Sequence, residues 1–159
     1  MLIDRVLALY DGLIHSLELA AWDFDKTMID LLVNYGVLER LRKGWYGAPF
    51  LDPNVRRAVT VGGRLGCVSA LAYLQGQPHP DGPLHVAVTR NVKGLRCPDD
   101  RRLPLDASRD AVVVHWLSEI NWMGDTKVVS QEQAQRQARR CRALPPSVAR
   151  AVLESARRP

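Results

Sequence analysis

The chain has 159 residues, 47% of them hydrophobic and 25% charged, which suits one sizeable hydrophobic core or two small ones and excludes a disordered chain. No apolar run approaches the roughly 20 residues that span a bilayer. The first residues form neither a basic leader nor a signal-type apolar block, so we expect a cytoplasmic protein with no membrane partner. The net charge of +5 is concentrated in residues 131–159, which contain seven arginines and two glutamates.

The apolar spacing at the start of the chain predicts two short helices joined by an extended stretch. Residues 2–10 repeat apolar side chains at helical spacing. Residues 13–14 favour an extended backbone. A second helix is predicted over residues 17–22, with His15 or Ser16 as its capping residue.

A third helix is predicted from Lys26 to Tyr35, with Asp23 or Asp25 as its cap and Gly36 as the residue that ends it. Its predicted inward side chains are Met28, Ile29, Leu31, Leu32 and Tyr35. A third helix in this position would enter the major groove of bound DNA. The candidate base contacts on its outward face are Lys26, Thr27 and Asn34, with Asn34 the best suited to adenine.

A short basic hairpin follows the third helix. Residues 37–42 alternate apolar and charged side chains, and residues 43–44 give a tight-turn signal before an aromatic return strand. Arg40, Arg42 and Lys43 lie within four residues, so we expect them to reach DNA phosphates or a minor groove. Three helices and a basic hairpin follow in the order of a winged helix-turn-helix. The alternative is a solvated hairpin that closes a small domain.

These residues resemble the N-terminal winged helix of AbiEi-type antitoxins. The resemblance lies in the runs 13–20 (LIHSLELA), 29–30 (ID) and 36–46 (GVLERLRKGWY). Further runs are similar to actinobacterial proteins that carry this winged helix, at residues 62–71, 84–91 and 112–116. In many of those proteins a domain like the very-short-patch-repair endonuclease follows. The resemblance implies a regulator that binds double-stranded DNA, a partner protein such as a cognate toxin, or both.

Two features depart from this family. The third helix would place Asp25 and Asp30 beside Lys26, and carboxylates repel phosphates. The chain also stops where the nuclease-bearing relatives begin that domain, and Glu132 lies in a helical, arginine-rich context rather than a nuclease motif. We therefore expect no catalytic residue and no enzyme. The alternative to DNA binding is a protein-interaction module that keeps the winged-helix scaffold without reading DNA.

The rest of the chain predicts a second domain. The fold class is accordingly α+β, with a winged helix-turn-helix at residues 1–48 and an α+β domain with C-terminal arginine-rich helices at residues 49–159. The predicted helices of the second domain are at 55–59, 67–74, 131–141 and from 145 onward, and its predicted strands are at 84–89 and 112–117. Residues 90–110 are predicted to form a long and partly mobile loop, and residues 121–125 a turn-rich link. Of the two strands, the second is expected to be the more fully buried.

Two histidines lie in the predicted strands of the second domain. A paired register would bring His85 and His115 together, as in a metal or proton-transfer site. A zinc site needs three or four ligands with a close pair, and Cys67, Cys97 and His79 lack that spacing. The three cysteines of the chain are odd in number and far apart. We therefore expect reduced thiols, no metal ligand and no cofactor.

Overall fold

The computed structural model describes residues 1–118 and 125–157. The predicted α+β fold class is confirmed. The first part of the chain, which we call the N-terminal unit (residues 1–48), contains α1 (Leu2–Leu9), β1 (Leu13–His15), α2 (Ser16–Ala21), α3 (Lys26–Asn34), β2 (Glu39–Arg42) and β3 (Trp45–Gly47). The predicted link at residues 121–125 lies almost wholly outside the described residues.

The remainder, which we call the second unit (residues 49–157), mixes helices with two small sheets. Its elements are α4 (Pro53–Val61), β4 (Arg64–Leu65), α5 (Cys67–Leu74), β5 (Leu84–Thr89), β6 (Arg96–Cys97), β7 (Asp100–Pro104), β8 (Val112–Leu117), α6 (Gln131–Arg140) and α7 (Pro146–Ser155). No helix of the described residues is both long and apolar enough to cross a membrane.

Local side-chain chemistry sets the starts of α2 and α3 in the N-terminal unit. At α2, the Nδ1 atom of His15 accepts from the Leu17 N–H, while Glu18 accepts from the His15 N–H, which forms a reciprocal capping box. At α3, an Asp25 oxygen accepts from the Met28 N–H at 2.8 Å. Gly36 follows α3 with φ +71°, a conformation that glycine adopts without strain.

The strands of the N-terminal unit form an antiparallel sheet in the order β1-β3-β2. Tyr46 lies at its centre, opposite Ile14 on one side and Arg40 on the other. The next pair joins Arg42 to Trp45, so Leu41 is an extra residue on β2. Such a bulge redirects a side chain. Leu41 points accordingly into the core of the second unit, where it is almost completely buried.

Two hydrophobic cores divide the molecule. The first lies within the N-terminal unit and includes Ile14, Ile29 and Tyr46. The second lies mainly in the second unit but also takes in Leu13 and Leu41. The hairpin sequence predicts a wing that folds back on Trp22 or Tyr35, with Trp45 and Tyr46 in the core of the N-terminal unit. Tyr46 does lie in the first core. The prediction is wrong for Tyr35, which is 82% exposed, and for Trp45, which packs against the second core.

The second unit is built on a three-stranded sheet in the order β4-β5-β8. β4 runs antiparallel to β5, and β5 runs parallel to β8. A parallel pair needs a crossover, and residues 90–111 provide it. They contain the β6-β7 hairpin, so the predicted loop at 90–110 is wrong in part. The predicted order of burial is also wrong, because β5 is buried along most of its length and β8 is only half-buried.

Candidate functional site

The exposed face of α3 combines polar and apolar side chains. Lys26, Thr27 and Asn34, the predicted base contacts, are all exposed. Lys26 forms an ion pair with Asp30 at 3.6 Å, so part of its charge is already compensated.

The predicted inward face of α3 is wrong for three residues. Met28 and Leu31 are each almost half exposed, and Tyr35 is more exposed still, whereas Ile29 is buried. The exposed face of α3 therefore carries one compensated cation and an apolar strip.

The three basic residues of the hairpin have different environments. Arg40 and Lys43 are exposed, as a phosphate contact requires. Arg42 is half-buried and lies against the second unit, because a Cβ added at Gly62 would collide with its guanidinium group. Burial and the neighbouring charge of Arg96 lower the pKa of Arg42. The structure therefore places Arg42 between the two units and leaves two cations on the outer surface of the hairpin.

A groove of about 710 Å³ separates the N-terminal unit from the β6-β7 hairpin. Five arginines line it, Arg40, Arg56, Arg57, Arg101 and Arg102. Glu39 pairs with Arg56 at 2.7 Å, and Asp99 pairs with Arg57 at 2.9 Å. Within residues 1–118 and 125–157, Arg40, Arg101 and Arg102 have no carboxylate partner in ion-pair range. The groove thus presents three cations without a carboxylate partner, beside the carboxylate of Asp100. Two of the three, Arg101 and Arg102, were not identified from the sequence.

A cluster of two cysteines and two histidines lies in the second unit. We call it the Cys-His cluster, and its members are Cys67, His85, His115 and Cys141. Their potential ligand atoms all lie within 4.8 Å of one another. Nδ1 of His85 is 3.0 Å from Nε2 of His115, and the sulfur of Cys141 is 3.8 and 3.9 Å from the same two nitrogens.

Strand register brings the two histidines of the cluster together. In the parallel pair, His85 on β5 lies opposite Val113 on β8, and His115 is two residues further along β8. Because side chains two apart share a face of a strand, the two imidazoles project from the same face of the sheet. Their rings are stacked with centroids 5.3 Å apart. This confirms that a paired register joins them, as the sequence suggested.

The cysteines of the cluster come from the helices that pack over this sheet. Cys67 begins α5, and Cys141 directly follows α6. The N–H of Cys67 donates to the Oε1 atom of Gln137 on α6 at 2.8 Å, and both residues are buried. Cys67 has φ +50°, a value that costs energy for a residue with a Cβ. The start of α5 is therefore held in a strained conformation beside the cluster.

Burial changes the proton affinities in the cluster. The pKa of His85 falls to about 4, mainly because of burial and also because of neighbouring His115 and His79. Burial lowers the pKa of His115 as well. Burial, with the nearby Cys141 as a further cause, raises the pKa of the Cys67 thiol to about 12. At neutral pH and without a cation, the imidazoles are thus neutral and this thiol keeps its proton.

A pair formed by Ser69 and His79 lies next to the cluster. The hydroxyl oxygen of Ser69 accepts from the His85 N–H at 2.9 Å and lies 2.7 Å from Nε2 of His79. Ser69 is 1% exposed, so a substrate cannot approach its hydroxyl. The pair fixes the backbone of β5 next to His85 and does not resemble an accessible nucleophile.

Sequence spacing did not identify this cluster. Its members are separated along the chain by 18, 30 and 26 residues, with no close pair of the kind that marks many zinc sites. The only signal was the expected pairing of the two histidine-bearing strands. No protein-family model matches the chain, and no curated protein is similar enough to be counted as a relative.

Proposed function

We propose that this protein is a non-enzymatic DNA-binding regulator that resembles an AbiEi-type antitoxin or transcriptional repressor and acts in the cytoplasm. Its N-terminal unit would serve as a winged helix-turn-helix, with the β2-β3 hairpin as the wing. The observation that carries the proposal is the chain order α1-β1-α2-α3-β2-β3 combined with the sheet order β1-β3-β2. In a winged helix-turn-helix of this order, α3 would enter the major groove and the basic hairpin would contact the adjacent backbone.

The distribution of charge supports the hairpin side of this surface as the main contact. Arg40 and Lys43 are exposed on the β2-β3 hairpin, and Arg101 and Arg102 of β7 line the same groove as Arg40. Phosphates attract such a cluster without regard to base sequence. On α3, Asp30 compensates Lys26, which leaves Thr27 and Asn34 for base edges. We therefore expect the hairpins to determine affinity and α3 to add modest specificity.

The first experiment measures binding to the DNA upstream of the protein's own gene at several salt concentrations. If about four phosphates are neutralised, log K should fall against log salt with a slope of about −3.6. Replacing both Arg40 and Lys43 by Ala should reduce the size of that slope by about 1.8. Replacing both Arg139 and Arg150 by Ala removes the same charge from exposed positions on α6 and α7 and should change the slope little.

Two outcomes would contradict this assignment. A slope that changes only in the Arg139/Arg150 variant would place the DNA contact on the arginine-rich C-terminal helices. The absence of binding above that of unrelated DNA would remove DNA from the function altogether. Plasmid and single-stranded DNA incubated with magnesium or manganese should remain intact, and cleavage lost on substitution of one carboxylate would overturn the non-enzymatic part of the proposal.

The apolar strip on α3 favours a second candidate, a protein-interaction module that keeps the scaffold without reading DNA. Leu31 and Tyr35 lie one turn apart and are both exposed, and such exposed apolar residues suit a protein partner better than a phosphate backbone. A cognate toxin is the partner that the family resemblance suggests. Replacing both residues by Ser should abolish binding of that toxin with little loss of stability, whereas DNA binding through the hairpin should persist.

A further inference from the structure

The Cys-His cluster joins four parts of the second unit that are distant in sequence. Cys67 begins α5, His85 and His115 lie on adjacent strands, and Cys141 lies between α6 and α7. The arrangement points to a metal site, and we propose that these four residues bind one zinc ion that fixes the C-terminal helices to the sheet. This inference is independent of DNA binding.

The distances fit tetrahedral coordination. With Zn–N bonds of about 2.0 Å and Zn–S bonds of about 2.3 Å, two nitrogen ligands lie about 3.3 Å apart and a nitrogen lies about 3.5 Å from a sulfur. In the cluster the two nitrogens are 3.0 Å apart, and the sulfur of Cys141 is 3.8 and 3.9 Å from them. For these three atoms, shifts of a few tenths of an ångström would give tetrahedral spacing, and the sulfur of Cys67 lies within 4.8 Å of all of them.

The chemistry of the ligands selects zinc among common metals. Two thiolates and two imidazoles in tetrahedral geometry are typical of Zn²⁺, whereas Mg²⁺ and Ca²⁺ prefer oxygen ligands. Four protein ligands leave no open position for water or substrate, which is the pattern of a structural site rather than a catalytic one. A structural role also agrees with the partial burial of the cluster, in which Cys67 and His85 are buried and the other two residues half-buried.

The backbone around Cys67 is arranged to present its sulfur. A residue with a Cβ keeps a positive φ only where its surroundings impose it, and here the Cys67 N–H is held by the side chain of Gln137. Outer contacts of this kind commonly orient metal ligands. Gln137 lies on α6, four residues before Cys141. One helix thus provides a ligand at its end and the positioning contact for another ligand.

The C-terminal helices pack on the second core through small or only partly buried side chains. On α6 the buried apolar residues are Ala134 and Ala138, and on α7 Val152 and Leu153 are only partly buried against the core. Such contacts provide less hydrophobic stabilisation than large, fully buried side chains. A zinc ion bound to Cys141, between the two helices, would add a further attachment, since structural zinc contributes directly to folding.

The test is the metal content of the full chain, produced in medium containing zinc, iron and copper and purified without chelator. We expect about one zinc per chain, as for a closed four-ligand site. The Cys141→Ser variant should contain no bound zinc. The Cys97→Ser and His15→Asn variants are matched controls outside the cluster and should keep about one zinc per chain. A strong chelator should lower the melting temperature and increase amide exchange in residues 131–157 before the strands of the sheet.

A second measurement applies even if Cys141→Ser does not fold. Cobalt exchanged into the unaltered protein should give the visible absorption of tetrahedral Co²⁺ and thiolate-to-cobalt charge transfer. Cys67 and Cys141 should resist thiol reagents until a chelator is added, with Cys97 unaffected by the chelator. Protein with no bound metal and unchanged chelator stability would overturn the proposal. So would a stoichiometric metal other than zinc, or a disulfide between Cys67 and Cys141 in the purified protein.

Discussion

The N-terminal and second units differ in the distance along the chain over which their key contacts act. The starts of α2 and α3 in the N-terminal unit are fixed by residues two or three positions apart, as in the His15–Glu18 capping box. The Cys-His cluster instead depends on contacts across 30 and 56 residues, and its supporting bond from Cys67 to Gln137 spans 70. Local contacts define elements before the fold forms, whereas a site built from distant elements exists only in the completed fold.

The molecule also separates its exposed cations from its Cys-His cluster. The β2-β3 hairpin of the N-terminal unit and the β6-β7 hairpin of the second unit present exposed cations, the features of a binding surface. The second unit gathers its chemically distinctive residues in a buried or half-buried cluster. We infer a division of roles, in which one surface binds a partner and the zinc site maintains the structure. The following predictions test whether the two units are as distinct as this comparison implies.

The largest expected effect comes from Leu41, which belongs to the hairpin in sequence and to the second core in space. Leu41→Ala should reduce the free energy of unfolding by about 3 kcal/mol, the usual cost of a cavity in a close-packed core. Because the side chain joins both units, amide exchange should increase in both. Tyr46→Ala, on the neighbouring strand, should cost about as much but increase exchange mainly in residues 1–48, since Tyr46 lies in the first core.

Leu17→Ala is the control for this comparison, because its side chain is 74% exposed. It should change stability by less than about 0.5 kcal/mol. If Leu41→Ala affected only the N-terminal unit, the bulge on β2 would not couple the two cores. The units would then be independent, as the sequence alone suggested.

Local periodicity explains which parts of the fold were predictable. Helix α5 and strands β5 and β8 have the predicted bounds, because each segment consists mostly of apolar or β-branched residues. The β6-β7 hairpin was missed since β7 is exposed along its whole length and lacks apolar alternation. On α3, helical spacing identified an apolar face but could not reveal what covers it, and Leu31 and Tyr35 are exposed.

The candidate site was predictable only in part for the same reason. The strand assignment correctly paired His85 with His115. Nothing in the spacing indicated that α5 and α6 would bring Cys67 and Cys141 to them, because that depends on how two helices pack over the sheet. Arg42 is a similar case on the N-terminal side. Its type and position on the hairpin suggest a phosphate contact, but packing against Gly62 places it between the units.

The next effect concerns Gln137, the residue that positions Cys67. Gln137→Leu leaves the buried Cys67 N–H without its acceptor and should weaken zinc affinity by about 10-fold, the lower end for outer contacts of metal sites. Gln137→Glu keeps an oxygen acceptor and should restore most of the affinity. Gln135→Leu, on the same helix, is the matched control. Competition with a zinc-binding dye would measure all three.

An affinity for zinc that is equal in the Gln137→Leu and Gln135→Leu variants would show that the bond to Cys67 does not orient the ligand. The strained φ of Cys67 would then need another explanation, such as the packing of α5 alone. Loss of stability in the Leu variant without a change in zinc affinity would lead to the same conclusion.

The smallest expected effect comes from the ion pair between Glu39 on the hairpin and Arg56 on α4. The two atoms lie 2.7 Å apart, but the side chains are 56% and 30% exposed, so water and salt screen much of their attraction. A double-mutant cycle with Glu39→Gln and Arg56→Met should give a coupling energy of about 0.5 kcal/mol that declines as salt is added. The local pair of Glu132 and Arg136 on α6 provides a control of similar strength. A coupling energy above about 2 kcal/mol that does not change with salt would exceed the range of exposed ion pairs. It would mean that the contact between Glu39 and Arg56, rather than Leu41 and its neighbours in the second core, holds the hairpin against the second unit.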